Sequence, residues 1–307
     1  MRRASTHHVV LKAAGLAWAL CAGSAGAQEL EPRSYSPSPT GTNFLDVGYT
    51  RLSGDVLTDP SLPVTDVQAR INSVVLAYVR TFGLAGHSSS IAIGVPYVSG
   101  DLSGNVIDAP TAIHREGLGD LRLRLAYNIV GSPALAPSEF MTRTPSTAVG
   151  VSLTVSAPTG AYNAEHLVNI GTHRWSFKPE IGISWPMANW FLEASAGAYF
   201  FTDNDSFYRG RVRSQDPLGT VQLHAGYTFR SRIWMAADIG YVVGGRTGLD
   251  GVPDHDRQSN MRWGLTLSAP INRHWSAKFA VSNGLVTRLG GDYTGFSTAL
   301  QYRWFDR

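Results

Sequence analysis

Val149-Gly150-Val151-Ser152-Leu153-Thr154-Val155-Ser156-Ala157 sets an apolar side chain at every second position, with glycine or a hydroxyl residue between. A period of two puts the two sets on opposite faces of a strand, whereas a helix would scatter both around its circumference. Leu121, Leu123, Leu125, Tyr127 and Ile129 repeat the pattern against Arg122, Arg124, Ala126 and Asn128. Towards the N-terminus the apolar faces are Leu45, Val47 and Tyr49, a less regular stretch at 70–82, and Ile91, Ile93, Val95 and Tyr97. Towards the C-terminus seven more follow, starting at Trp175, Trp190, Val221, Ile233, Met261, Trp275 and Phe296. The reading is an all-β chain of twelve strands, or of ten or fourteen if 70–82 or 130–146 is read otherwise.

The connections test that count independently. Those at 83–88, 186–189, 230–232 and 270–273 are short, and those at 52–68, 98–118, 158–173, 202–217, 244–258 and 282–294 are long. Such alternation belongs to an up-and-down antiparallel transmembrane barrel with tight periplasmic turns and long outer loops. One connection departs from it: 130–146, with Pro133, Pro137 and Pro145, is long where a short turn is due, and is expected to fold as a small periplasmic element or to conceal a miscount.

A soluble sandwich would also alternate, but its second face would be a charged, solvated surface. Here that face is Gly, Ser, Thr and Ala with scattered charges, and charged residues make up only 16% of the chain. Small inward side chains leave room inside a barrel, and the apolar face is then the one that meets lipid. Trp175 and Trp185, Trp190 and Phe200, and Tyr302 and Trp304 stand near strand ends, where interfacial girdles need them.

Residues 1–27 read as a cleavable secretory signal: Met1-Arg2-Arg3, an apolar run from Ala13 to Gly23, and Ala25-Gly26-Ala27 before a cut ahead of Gln28. The only cysteine, Cys21, lies within it, so the exported chain would have no thiol for disulfides, catalysis or metal binding. Three of the 26 bases also lie there, and the remaining 23 balance the 23 acids, so the net charge of +3 gives no reason to expect a nucleic-acid partner. The expected location is a bacterial outer membrane. The expected partners are outer-membrane lipid, a small-molecule permeant and, during biogenesis, the outer-membrane assembly machinery. Residues 28–42, with Pro32, Pro37 and Pro39, are poor ladder formers and read as a lead-in or a short plug entering the lumen. The barrel itself is assigned to 43–307.

Parity points Arg122, Arg124, Lys178, Glu180, Glu193, His224, Asp238, Arg262 and Arg303 into the lumen. Both signs occur, so ion pairs that stiffen the interior and a charged constriction that selects the permeant are both open readings. A catalytic reading is disfavoured. Ser152, Ser268 and His224 point inward, but there is no Gly-x-Ser-x-Gly elbow. His166 and His173 share a loop without a metal-pair spacing, and Asp203-Asn204-Asp205 reads as a turn cap in preference to a calcium loop. Gly244-Gly245-Arg246-Thr247-Gly248 lacks the Lys-Ser/Thr ending of a phosphate-binding loop. No metal or cofactor is expected.

Several strings together carry a family resemblance. Glu31-Pro32-Arg33-Ser34-Tyr35-Ser36, Ser53-Gly54-Asp55-Val56-Leu57-Thr58-Asp59-Pro60, Gly117-Leu118-Gly119-Asp120 and Trp175-Ser176-Phe177-Lys178-Pro179-Glu180 occur in order. Phe201-Thr202-Asp203-Asn204-Asp205, Gln215-Asp216-Pro217-Leu218, Gly244-Gly245-Arg246-Thr247 and Asp256-Arg257-Gln258-Ser259-Asn260 follow them. From about residue 29 to 304 the chain resembles the family described as putative MetA-pathway of phenol degradation proteins. That resemblance implies an outer-membrane location and passage of small, often aromatic, compounds; it brings no catalytic or binding residues. The function expected is a non-enzymatic channel or transporter for hydrophobic or phenol-like molecules. The alternative is a barrel acting as a lipid hydrolase or a structural protein. On the same parity, Leu153→Arg is expected to destabilise the barrel and Ser152→Arg to be tolerated with altered conductance.

Overall fold

The computed structural model describes residues 30–57, 64–106 and 109–306. The signal expected at 1–27, with Cys21, lies outside the described residues.

The chain builds β1 (Thr42–Leu57), β2 (Val64–Leu84), β3 (His87–Val106), β4 (Ala109–Leu118) and β5 (Leu121–Val130). A short helix, α1 (Pro137–Thr142), is followed by β6 (Ala148–Ala157), β7 (Ser176–Met187) and β8 (Trp190–Phe201). Then come β9 (Asn204–Phe207), β10 (Arg211–Gln215), β11 (Leu218–Thr228), β12 (Trp234–Gly244), β13 (Thr247–Leu249) and β14 (Val252–Pro253). β15 (Gln258–Pro270), β16 (Trp275–Val286) and β17 (Gly290–Phe305) complete it.

Twelve of these strands form one closed antiparallel wall in the order β1, β2, β3, β5, β6, β7, β8, β11, β12, β15, β16, β17. The wall closes where β17 meets β1, from Thr42↔Phe305 to Leu57↔Gly290. Closure leaves no open sheet edge, which is what lets a sheet cross lipid with its backbone groups paired. The count read from the alternation therefore stands, and the segment at 130–146 conceals no strand. It folds as a small periplasmic element around α1, where Glu139 accepts from the Ala136 amide at 3.0 Å. Its chain is tied to the β2–β3 turn through Ala134 N to Gly86 O and Ser88 N to Ser132 O.

The faces also fall as alternation requires. Leu153 is 40% exposed on the outer surface, and Leu76, Ile181, Leu223 and Leu265 stand out beside it. Each would be a liability in water, and together they form a belt that only lipid can cover. At its lower border the aromatics touch: Trp275 and Tyr302 lie 4.9 Å apart between ring centroids, Tyr302 and Trp304 5.7 Å, and Trp304 and Tyr78 6.1 Å. Trp190, Tyr227 and Phe229 continue the same girdle edge-to-face.

On the outer side the structure is more ordered than loops would suggest. β1 to β4 run past the membrane as tall hairpins, β3 changing partner from β5 to β4 where Gly119-Asp120 breaks the strand. Alternation fades there because both faces are wet, which is why 52–68 and 98–118 read as loops. Two further outer loops pair with each other as a four-stranded sheet in the order β14, β13, β10, β9. Arg213 sits fully buried inside it, its Nη2 donating to Thr247 Oγ1 at 2.9 Å and lying 4.0 Å from Asp256. Burial pushes this guanidinium down, against the upward pull of Asp256 and Asp254, to about 10. Asn204, also fully buried, donates to Tyr162 Oη and Thr172 O and so joins the loop 158–175 to the same cap. In place of the turn cap expected at Asp203-Asn204-Asp205, Asn204 opens β9 and pairs with Arg213, its side-chain oxygen accepting from the Ser206 amide at 3.0 Å.

Asp120 anchors that cap to the wall. Its carboxylate accepts from Gly160 N at 2.9 Å, Thr172 N at 2.9 Å and Thr172 Oγ1 at 2.6 Å. Hydrogen bonds to a charged acceptor contribute more than neutral ones, so Asp120→Ala should destabilise the cap by roughly 1.5–3 kcal/mol. Hydrogen exchange of the 158–174 amides should rise by the corresponding factor while exchange in the barrel wall stays unchanged.

Candidate functional site: the plugged lumen

The inward faces of β6, β7, β12 and β15 carry glycine at Gly150, Gly182, Gly240 and Gly264, and the N-terminal segment fills the space this leaves. A Cβ on Gly182 would meet the Tyr35 ring at 2.2 Å, and one on Gly150 would stand 3.0 Å from it. Cβ atoms on Gly240 and Gly264 would each come within 2.8 Å of a Leu30 methyl. These glycines supply volume, not backbone freedom. Residues 30–36 occupy the lumen as a plug, entering beside the periplasmic rim where Thr40 N donates to Leu135 O.

The plug is held by charged and hydroxyl groups of the wall. Arg33 N and Ser36 Oγ both donate to the Glu193 carboxylate, the second at 2.8 Å. The Arg33 guanidinium lies 4.3 Å from the centroid of Phe191 and 5.1 Å from that of Trp234, and its Nη2 donates to Thr228 Oγ1 at 2.8 Å. Tyr35 Oη donates to Glu180 Oε1 at 2.9 Å and shares a hydrogen bond with Ser152 Oγ at 3.0 Å. Glu31 N donates to Gln222 Oε1 at 3.3 Å. The inward polar face thus serves as a cradle, and Ser152→Arg, acceptable by parity alone, would drive a guanidinium into Tyr35.

Most of the charges expected in the lumen line up around this cradle. Lys178 Nζ pairs with Glu180 Oε2 at 2.6 Å. Glu193, His224 and Asp238 are neighbours across β8, β11 and β12 in register. His224 Nδ1 is 2.7 Å from Asp238 Oδ1, and Thr266 Oγ1 donates to the other oxygen of that carboxylate at 2.8 Å. The hydroxyl therefore serves the aspartate and not the imidazole, the reverse of what a nucleophile would need. Arg124 lies over the Tyr35 ring, 5.3 Å from its centroid. Arg122 and Arg262 face an open cavity, Arg262 donating to Ser282 Oγ at 3.1 Å. Arg303 keeps inward parity but stands exposed at the periplasmic rim, its Nη2 donating to Arg273 O at 3.0 Å. His173 stacks on Tyr162, with centroids 4.6 Å apart.

That cavity, about 380 Å³, lies above the plug on the other side of the lumen. Leu30 and Glu31 bound it below, and Arg174 and Phe201 border it beneath the cap. Its wall comes mainly from β1 to β3 and β15 to β17. Lys278 belongs to it and follows from parity, since it stands between outward Ala277 and Phe279. Glu31, Asp120 and Arg174 lie outside the wall strands, where parity has no purchase.

Comparison with known proteins agrees with this architecture. The COG4313 outer membrane channel from Pseudomonas putida F1 superposes with a TM-score of 0.75 at 19% sequence identity, over 90% of this chain and 100% of that one. The β-domain of the Bordetella autotransporter BrkA gives a TM-score of 0.51 at 12% identity, over 87% of this chain and 100% of that domain. At these identities the likeness is one of fold, that of an outer-membrane barrel. No curated protein matches the sequence. A family model does match it, over residues 45–304, which is most of the chain. The closed twelve-stranded wall and this match together place the chain in the family described as Putative MetA-pathway of phenol degradation.

Proposed function

We propose that the barrel is a passive outer-membrane channel for small aromatic compounds, with the N-terminal plug restricting flow. The observation that carries this reading is a cavity of about 380 Å³ in the lumen of a closed barrel, with apolar and charged lining and the plug for its floor. Its size lies in the range of small-molecule sites. The family description, phenol degradation, points to the same class of solute. The Pseudomonas putida F1 protein of the same fold is described as an outer membrane channel, which suits passage in preference to hydrolysis. Selectivity would come from cavity width and charge, with the outer cap screening entry.

The test is single-channel conductance of the refolded mature chain in planar bilayers, with phenol or benzoate added. The expected result is discrete, small openings that these solutes block, and larger openings once residues 28–36 are deleted. Verified insertion without conductance in either form would overturn the channel reading.

A further inference from the structure

The cavity is not uniformly polar. Leu52, Ile71 and Val98 on β1 to β3 form an apolar strip, with Lys278 of β16 towards one side and Arg122 of β5 towards the other. Glu31 enters the same cavity from the plug. Its carboxylate accepts a hydrogen bond from Ser34 Oγ at 3.3 Å and lies within electrostatic reach of Arg124, Lys278, Lys178 and Arg122. Of the other acids that line the cavity, Asp238 is engaged by His224 and Thr266, and Asp120 by the outer loop. Among the described residues of the plug, Glu31 thus brings a carboxylate to the cavity that these wall cations line, next to a surface suited to a flat apolar body. Charge attraction of this kind is not specific to which carboxylate supplies it.

We propose that Glu31 is a tethered substitute for the carboxylate of the permeant, and that the preferred solutes are aromatic monocarboxylates. In this scheme, which rests on the channel reading above, the solute's ring lies on the apolar strip. Its carboxylate exchanges with Glu31 at the cations, and that exchange loosens the upper plug. A neutral aromatic of the same size can use the strip but has nothing to exchange.

Benzoate and benzyl alcohol separate these cases, because they share a ring and nearly a size while only one is an anion. Binding of each is measured by calorimetry on the full mature chain in detergent, and passage of each in proteoliposomes. Glu31→Gln removes the internal competitor while keeping its shape, so benzoate should bind about tenfold tighter, the ratio expected for loss of one modest charge-assisted contact. Benzyl alcohol should be unaffected. Lys278→Met should weaken benzoate by a similar factor and again spare the alcohol, and it keeps the test intact if the Glu31 variant does not fold. Unchanged benzoate affinity in Glu31→Gln would overturn the proposal. An equal gain for both solutes would overturn it too, since the plug would then be a mere obstruction. Passage of neither solute in any variant would overturn the channel reading along with it, whereas passage of benzyl alcohol with no carboxylate effect leaves that reading standing and removes this inference alone.

Discussion

Gly182→Leu will unseat the plug and raise conductance several-fold without unfolding the barrel. The side chain has nowhere to go but into the Tyr35 ring, whose atoms would lie 2.2 Å from the new Cβ. Tyr35 must move, and with it go the bonds to Glu180 and Ser152. Leaving buried hydrogen-bonding groups unpaired costs roughly 1–3 kcal/mol each, enough to shift a short segment from docked to undocked. The wall itself keeps its ladder, since Gly182 pairs with Gly150 and Ser195 through backbone alone. Planar-bilayer recording gives the answer directly. A folded Gly182→Leu barrel with unchanged conductance would show that residues 30–36 do not limit flow.

Leu153→Arg tests the other face. Leu153 projects from the middle of β6 into the lipid belt, and an arginine near the bilayer midplane of such a barrel costs about 2–4 kcal/mol. Folding into vesicles, followed by urea titration, should show the loss as a lowered midpoint with little change in slope. Ser156→Arg is the control, because Ser156 lies three residues along the same strand on the cavity wall. Its arginine can remain in water, so stability should change by well under 1 kcal/mol. A larger loss in Ser156→Arg than in Leu153→Arg would mean the faces of β6 have been assigned the wrong way round.

The wall was legible in the sequence because membrane and lumen impose opposite demands on alternate residues. Val149 to Ala157 shows it most cleanly, and β6 pairs along that whole run. Where both faces are wet the demand disappears, and the extensions of β1 to β4 and the paired cap strands β9, β10 and β13 went unread. Parity likewise found Glu180, Glu193, His224 and Asp238, since their direction is fixed by the strand. It could not find what meets them. Arg33 and Tyr35 reach Glu193 and Glu180 across 160 and 145 residues of chain, and no local pattern encodes such a meeting. A signal was nevertheless present in the inward glycines Gly150, Gly182, Gly240 and Gly264, which together mark a volume reserved for another segment.

The plug does not sit centrally. Nearly all its anchors, Ser152, Glu180, Glu193, Gln222 and Thr228, belong to β6 through β11, while the cavity is walled mainly by β1 to β3 and β15 to β17. The circumference is thus divided between a part that holds the stopper and a part that meets the solute. A lineage of such barrels could exchange Leu52, Ile71 or Val98 for other side chains, and so change its diet, while the stopper's seat stayed as it is. Taste and closure can be inherited separately.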